Sequence, residues 1–282
     1  MSLAWWNGRT VPREEVGIDP SDAGFLFGDG IFETLRVDQG SAWDVAAHLE
    51  RLLAGLVRLR MEIPEDAAAL EAAVREIAFT APEPVARLRI TVSRGNDAGP
   101  TRLITTAPYE PPDENAYRQG VPARFLPQYP LYSGSALAGL KSLSYQTNRL
   151  ALRAAEAHGA WEAILVNEAG RLVEGSRSNL AVVLDGSVLT PRRQDGCLPG
   201  TVRRRLLERG VIQEWQLAPE DLAAAGEVLL MNSLVGVLPV SEINGKAVPL
   251  GATASYLRQV LGGPWSSATG SPAAGAGRRP PA

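Results

Sequence analysis

At Asp44 the apolar residues change their spacing, and that change constrains the fold class more than any other feature of the chain. Upstream, "LAWWNGRTV" carries an Asn-Gly hairpin signal, and "GIFETLRV" reads as a strand closed by the turn "DQG". Downstream, "DVAAHLERLLAGLVRLRMEI" repeats at three and four, the stripe of an amphipathic helix that ends before Pro64. A chain that changes period this early is neither a helical bundle nor an all-strand sandwich. A second helix, "PEDAAALEAAVREIAFT", and two strands, "ARLRITVSRG" and "TRLITTAPY", complete a small α/β domain over residues 1–112.

The Pro-rich polar stretch after it predicts an interdomain connector over 113–125. Residues 126–262 form the next segment, in which helices and short strands are mixed. It has a helix at "TNRLALRAAEAHGA", short strands from "EAILVN" to "SVLTP", a helix from "GTVRRRLLERG", a strand "EVLLMNS" and a last helix near "LGATASYLRQVLG". The overall class is therefore α+β. Residues 263–282, mostly Pro, Gly, Ala and Ser, are predicted to be a disordered and dispensable tail in which only Trp265 can bury much surface.

Several function classes drop out. A net charge of −3 argues against a nucleic-acid binder, and the one basic triplet, Arg203 to Arg205, lies on a helix with no aromatic residues interleaved. Two histidines, His48 and His158, cannot build a His-rich transition-metal site, so no metal is expected. The single Cys197 suits a reducing cytosol. No run reaches the roughly 18 apolar residues of a membrane span, and the first residues lack a signal-peptide pattern. A cytoplasmic protein with no membrane partner is the expectation.

Chemistry must then lie in local motifs, and lysine usage points to one. Of the 28 Lys and Arg residues only Lys141 and Lys246 are lysines. Lys246 follows an Asn-Gly turn and needs no special reason. Lys141, in "GLKSLSYQTNRLA", follows an apolar run, where a desolvated amine can lose its proton and attack a carbonyl while a guanidinium stays charged. A snorkelling lysine is the competing reading of that stretch.

Three further motifs are weak one by one. In "RLVEGSRSNLAVV" a carboxylate, Glu174, emerges at a strand end, although a plain surface acid fits as well. In "GCLPGTVRRRL" a Pro-Gly turn runs into a helix whose free N–H groups at Thr201 and Val202 can hold a phosphate, or simply begin a helix. In "HLERL" Arg51 is either a bidentate phosphate ligand or one more surface arginine.

The order of "FGDGIFETLRV", "HLERL", "LKSLSYQTNRLA", "EAILVNEAGRLVEGSRSNL" and "LPGTVR" resembles that of the class IV (fold type IV) pyridoxal-phosphate aminotransferases over nearly the whole chain before the tail. The resemblance implies a two-domain fold with pyridoxal 5'-phosphate between a small α/β domain and a β-rich pseudo-barrel domain. It implies a Schiff base at Lys141, which then serves as general acid/base on the substrate carbon. Glu174 would pair with the ring nitrogen. Arg51, the amides of Thr201 and Val202, and the Ser233 hydroxyl would hold the phosphate. Leu198 would pack on the ring, Tyr145 would contact its phenolic oxygen, and Asn179 would order the loop of Glu174. The family also implies a homodimer, with the partner's "GFLFGDG" region near the substrate pocket.

Within the family, "FGDGIFETLRV", "VSRG" and "MNSLVGVLPV" most resemble the aminodeoxychorismate lyases. The branched-chain Arg-Pro pair and Gly-Thr-Ala loop are missing, and no histidine follows "VSRG" as in the D-amino acid enzymes. Thr34 matches a lyase threonine that would assist proton transfer. The lyase Arg-Gly-Tyr segment is also missing, so Arg94, Arg102 or Arg177 would have to receive a dicarboxylate substrate. The alternative is an amino-acid or amine transaminase.

Overall fold

A computed structural model describes residues 2–266. Two sheets organise it. The first has six antiparallel strands in the order Arg9–Pro12, Leu3–Trp6, Gly99–Pro108, Val85–Asn96, Gly30–Asp38 and Ser41–Ala42. Strand Gly30–Asp38 alternates as its sequence requires. Ile31, Leu35 and Val37 enter the core under helices Val45–Arg58 and Ala67–Phe79, where they meet Leu49, Leu52, Leu56, Leu70, Val74 and Ile77. Phe32, Thr34 and Arg36 therefore point to the opposite face, beside Arg87, Arg89 and Thr91 of the neighbouring strand.

The second sheet has nine strands. Its order is Gln213–Trp215, Ser187–Pro191, Asn179–Leu184, Glu227–Asn232, Gly236–Ile243, Val121–Phe125, Glu162–Val166 and Leu172–Gly175, with Lys246–Ala247 paired to Gly236–Ile243. One face packs an apolar cluster that includes Ile164, Leu172, Leu180, Leu230 and Leu238. The other faces a second cluster beneath helices Thr201–Glu208 and Thr253–Leu261.

Two expectations change. Residues 113–125 are not a connector. Asp113 caps helix Glu114–Gln119 by accepting from the Ala116 N–H at 2.8 Å. Val121–Phe125 is an interior strand, parallel to both of its neighbours, with Val121 and Ala123 buried. Proline at position 122 concealed it, because a proline demotes a strand reading. The first residues of the expected tail, 263–266, belong to the fold. Gly263–Trp265 forms a 3-10 turn, and the Trp265 side chain is only 2 % exposed. Residues 267–282, the rest of the expected tail, lie outside the described residues. Among the described residues no helix is long and apolar enough to cross a membrane.

The segment around Lys141 joins the two sheets. The Phe32 N–H donates to the Lys141 carbonyl at 2.9 Å, and the Leu143 N–H donates to the Gly30 carbonyl at 2.9 Å. This backbone pairing sets Lys141 against the strand face that carries Phe32.

Candidate active site

A cavity of about 210 Å³ opens where the sheets meet, lined by Arg51, Lys141, Tyr145, Glu174, Arg177, Leu198, Thr201, Val202 and Ser233 among others. Motifs from Arg51 to Ser233 thus converge on one cavity. The Lys141 ammonium lies 4.6 Å from the Phe32 ring centroid and 5.8 Å from that of Tyr145. It has no hydrogen-bonded partner among the described residues. Burial pushes its pKa down to about 8, Arg51 and Arg89 push the same way, and Glu33 and Glu174 oppose them.

Glu174 sits at the end of strand Leu172–Gly175, with its Oε2 accepting from the Leu198 N–H at 2.9 Å and the Asn179 amide at 3.1 Å. Asn179 also donates to the Leu198 carbonyl at 2.8 Å, so one amide ties the carboxylate to the Leu198 loop. Burial raises the Glu174 pKa to about 7, despite the Leu198 N–H and Lys141, and with Glu162 adding like charge.

Helix Thr201–Glu208 begins at Gly200 with no side-chain cap, which leaves its first N–H groups turned to the cavity wall. Glycine is needed before it, since a Cβ at position 200 would lie 1.9 Å from the Asn179 side-chain oxygen. Arg51 is held by Glu33 through two bonds of 2.7 and 2.6 Å, and donates to the Pro199 carbonyl at 3.0 Å. Glu33 also meets His48 Nδ1 at 2.7 Å, and His48 Nε2 lies 3.4 Å from the Thr201 hydroxyl. Burial works to raise the Glu33 pKa, but the Arg51 charge and these bonds hold it at about 2.

Other expected residues are committed elsewhere. Ser233 lines the cavity but donates its hydroxyl to the Thr34 carbonyl at 2.7 Å, and the Thr34 side chain does not line the cavity. The Tyr145 hydroxyl donates to the Ser176 carbonyl at 2.7 Å, and burial raises its pKa. Of the three candidate arginines only Arg177 reaches the cavity within one chain. Arg94 pairs with Asp29 and donates to the Leu59 carbonyl at 2.9 Å. Arg102 pairs with Glu65 and donates to the Pro100 carbonyl at 2.7 Å. Both are absorbed in tying strands to the ends of neighbouring loops.

Sequence reasoning missed Arg89. Its guanidinium lies 3.8 Å from the Phe32 ring centroid and donates to the Thr91 hydroxyl at 3.0 Å, with no carboxylate partner among the described residues. Burial lowers its pKa to about 10, and the nearby Arg87 charge adds to the shift. The signal available was strand alternation, which puts Arg89 on the Phe32 face. Glu33 and His48 were also missed. Each is a polar residue at a core-facing position of an otherwise apolar pattern, which marks a paired buried group.

The amino-transferase class IV family matches residues 30–243, more than half of the chain. The bifunctional aminodeoxychorismate lyase / D-amino acid transaminase of Mycobacterium tuberculosis is 34% identical over 251 residues, covering 81% of this chain and 86% of that protein. The D-alanine aminotransferase of Bacillus licheniformis is 27% identical over 275 residues, covering 90% and 93%. Among solved structures, the 4-amino-4-deoxychorismate lyase from Pseudomonas aeruginosa aligns with a TM-score of 0.80 at 31% identity, covering 92% of this chain and 98% of that one.

Proposed function

The chain belongs to the class IV aminotransferase family, and from that membership we propose that it is a 4-amino-4-deoxychorismate lyase, releasing pyruvate and 4-aminobenzoate. Its two-sheet α+β architecture is that family's fold, and its cofactor is pyridoxal phosphate. The residues present fit that group. The cavity offers an unpartnered, half-buried amine, a carboxylate raised to about 7, and an uncapped helix N-terminus next to a guanidinium.

In this reading Arg51 and the Thr201 and Val202 amides would hold the phosphate, the Ser233 hydroxyl would join them by turning its proton from the Thr34 carbonyl, and Leu198 would pack on the ring. Glu174, with a pKa close to neutrality, shares a proton with the ring nitrogen. Tyr145 would reach the phenolic oxygen as a donor by turning its hydroxyl proton from the Ser176 carbonyl. Bound there, pyridoxal phosphate supplies an electron-withdrawing ring that accommodates negative charge at the substrate's amine-bearing carbon. Lys141 would hold the cofactor at Nζ and would move the proton at that carbon. Its low pKa keeps a usable fraction neutral near pH 7.

Lyase and transaminase share these groups, so the protein selects the outcome by which substrate it holds and how. One observation favours the lyase: Arg177 and Arg89 both lack a carboxylate partner among the described residues. Arg177 lines the cavity, and Arg89 is close enough to Lys141 to lower its pKa. Two guanidinium groups whose charge no carboxylate among the described residues neutralises suit a doubly anionic substrate. The alternative is an amino-acid or amine transaminase of branched-chain, D-amino acid or (R)-amine type. The double activity named for the Mycobacterium tuberculosis relative supports keeping it.

The test supplies 4-amino-4-deoxychorismate and, separately, D-alanine, L-leucine and an (R)-amine, each with 2-oxoglutarate or pyruvate. Pyruvate release matched by 4-aminobenzoate supports the lyase. Rapid transamination with no 4-aminobenzoate formed refutes it.

The same proposal includes a cytoplasmic homodimer. Phe25, Leu26 and Phe27, in helix Ala23–Phe27 of the "GFLFGDG" region, are 72, 51 and 75 % exposed, an apolar surface suited to a second copy. Light scattering should give twice the chain mass, and Phe27→Asp should shift it toward the monomer. A fully active monomer would rule the dimer out.

A further inference from the structure

Glu162, the first residue of strand Glu162–Val166, has no solvent exposure and no ion-pair partner among the described residues. A carboxylate so placed is costly unless donors fill its lone pairs. Five do. Oε1 accepts from the Ala163 N–H at 2.9 Å, the Ser176 N–H at 3.0 Å and the Ser176 hydroxyl. Oε2 accepts from the Ser178 hydroxyl at 2.6 Å and the Arg177 N–H at 3.3 Å. Four of the five belong to residues 176–178, the turn between strands Leu172–Gly175 and Asn179–Leu184.

That turn carries two groups of the site. The Ser176 carbonyl accepts from the Tyr145 hydroxyl at 2.7 Å and from the Asn148 amide at 3.1 Å. The Arg177 side chain leaves the turn to donate to the Trp161 carbonyl, with its guanidinium 4.4 Å from the Trp161 ring centroid. Gly175 records the same arrangement from another side. A Cβ there would lie 2.9 Å from the Glu162 carboxyl carbon and 2.5 Å from the Ser178 hydroxyl, so the carboxylate occupies the space a side chain would need.

We infer that Glu162 is a positioning residue: its carboxylate fixes the 176–178 turn and thereby sets the direction of both the Arg177 guanidinium and the Tyr145 hydroxyl. Aspartate is one methylene short of the turn. Glutamine replaces one acceptor oxygen with an NH2 donor facing groups that are themselves donors. The functional half of the inference rests on Arg177 as a substrate-carboxylate group.

The test uses the holoenzymes of Glu162→Gln, Arg177→Ala and the double variant, with Ser178→Ala as a milder change that removes only one donor. Two measurements are made: amide hydrogen exchange of the peptide spanning 175–178, and KM and kcat for the amino substrate turned over. Glu162→Gln is expected to speed exchange in that peptide at least tenfold while other peptides of the sheet are unchanged. It should raise KM about tenfold and change kcat less than threefold, and Ser178→Ala should move both readings the same way by less. In the double variant KM should not exceed that of Arg177→Ala alone, because a residue acting through Arg177 adds nothing once Arg177 is gone. Unchanged exchange, or KM effects that multiply, would overturn the inference. If Arg177→Ala leaves KM unchanged, the substrate role of Arg177 falls, and the exchange result alone decides whether Glu162 holds the turn.

Discussion

Ending the chain at residue 262 instead of 266 should cost far more stability than the loss of four residues suggests. The difference is Trp265. Its indole lies 6.1 Å from that of Trp43, centroid to centroid, and the Arg205 guanidinium lies 5.7 Å from its ring. It fills the space over Gly236, where a Cβ would come within 2.7 Å of the ring. A tryptophan that buries roughly 200 Å² contributes about 5 kcal/mol at about 25 cal/mol per Å², an upper bound. The indole N–H has no acceptor among the described residues, which offsets about 1–2 kcal/mol. The remainder, about 3–4 kcal/mol, lies in the range observed for deleting buried aromatic side chains. In a chain of this size it corresponds to a fall in Tm of roughly 6–16 °C. Calorimetric melts of the two truncated proteins, with Trp265→Ala in the full chain as a control, measure it directly. A difference below about 2 °C would show that burial of this ring is not what closes the fold.

Lys141→Arg should leave the fold intact yet abolish covalent capture of the cofactor and all turnover, read as loss of the cofactor's absorbance band after gel filtration. In the wild-type apoprotein, capture of the cofactor aldehyde should rise with pH and level off above about 8, not 10.5, because burial disfavours the charged amine. At pH 7 a pKa of 8 leaves about one amine in ten neutral, roughly 300 times the fraction of an unperturbed lysine. A capture rate still climbing between pH 9 and 10.5 would contradict the shift. Glu174→Gln should retain bound cofactor, since it is not among the phosphate-holding groups, but lower kcat roughly a hundredfold. Unchanged turnover in that variant would remove Glu174 from the ring nitrogen.

The parts of the site that could be read from sequence are those whose chemistry depends on local backbone. Thr201 and Val202 are marked by the turn and helix start that free their N–H groups, and Glu174 by the strand end that presents it. Lys141 stands out because arginine serves almost everywhere else. The arginines were not legible in this way, because what an arginine does depends on which carboxylate reaches it. Arg94 finds Asp29, 65 positions away, and Arg102 finds Glu65, 37 positions away. Neither partner differs in sequence from an ordinary surface acid. Arg89 is the converse case, an arginine that no carboxylate among the described residues reaches. Alternation assigns it to the face of Phe32, but only the backbone pairing of Phe32 with Lys141 brings that face beside the lysine. The hidden strand Val121–Phe125 follows the same logic. Its proline reads locally as a breaker, and its place in the sheet comes from pairing with segments some 40 and 120 residues away. What remains legible even for distant partners is a polar residue at a core position. Glu33 and His48 break the apolar register of their strand and helix, and a chain tolerates that only where the two are satisfied together. Here Arg51 joins them, so the two irregularities, 15 residues apart, mark the base of the proposed phosphate site.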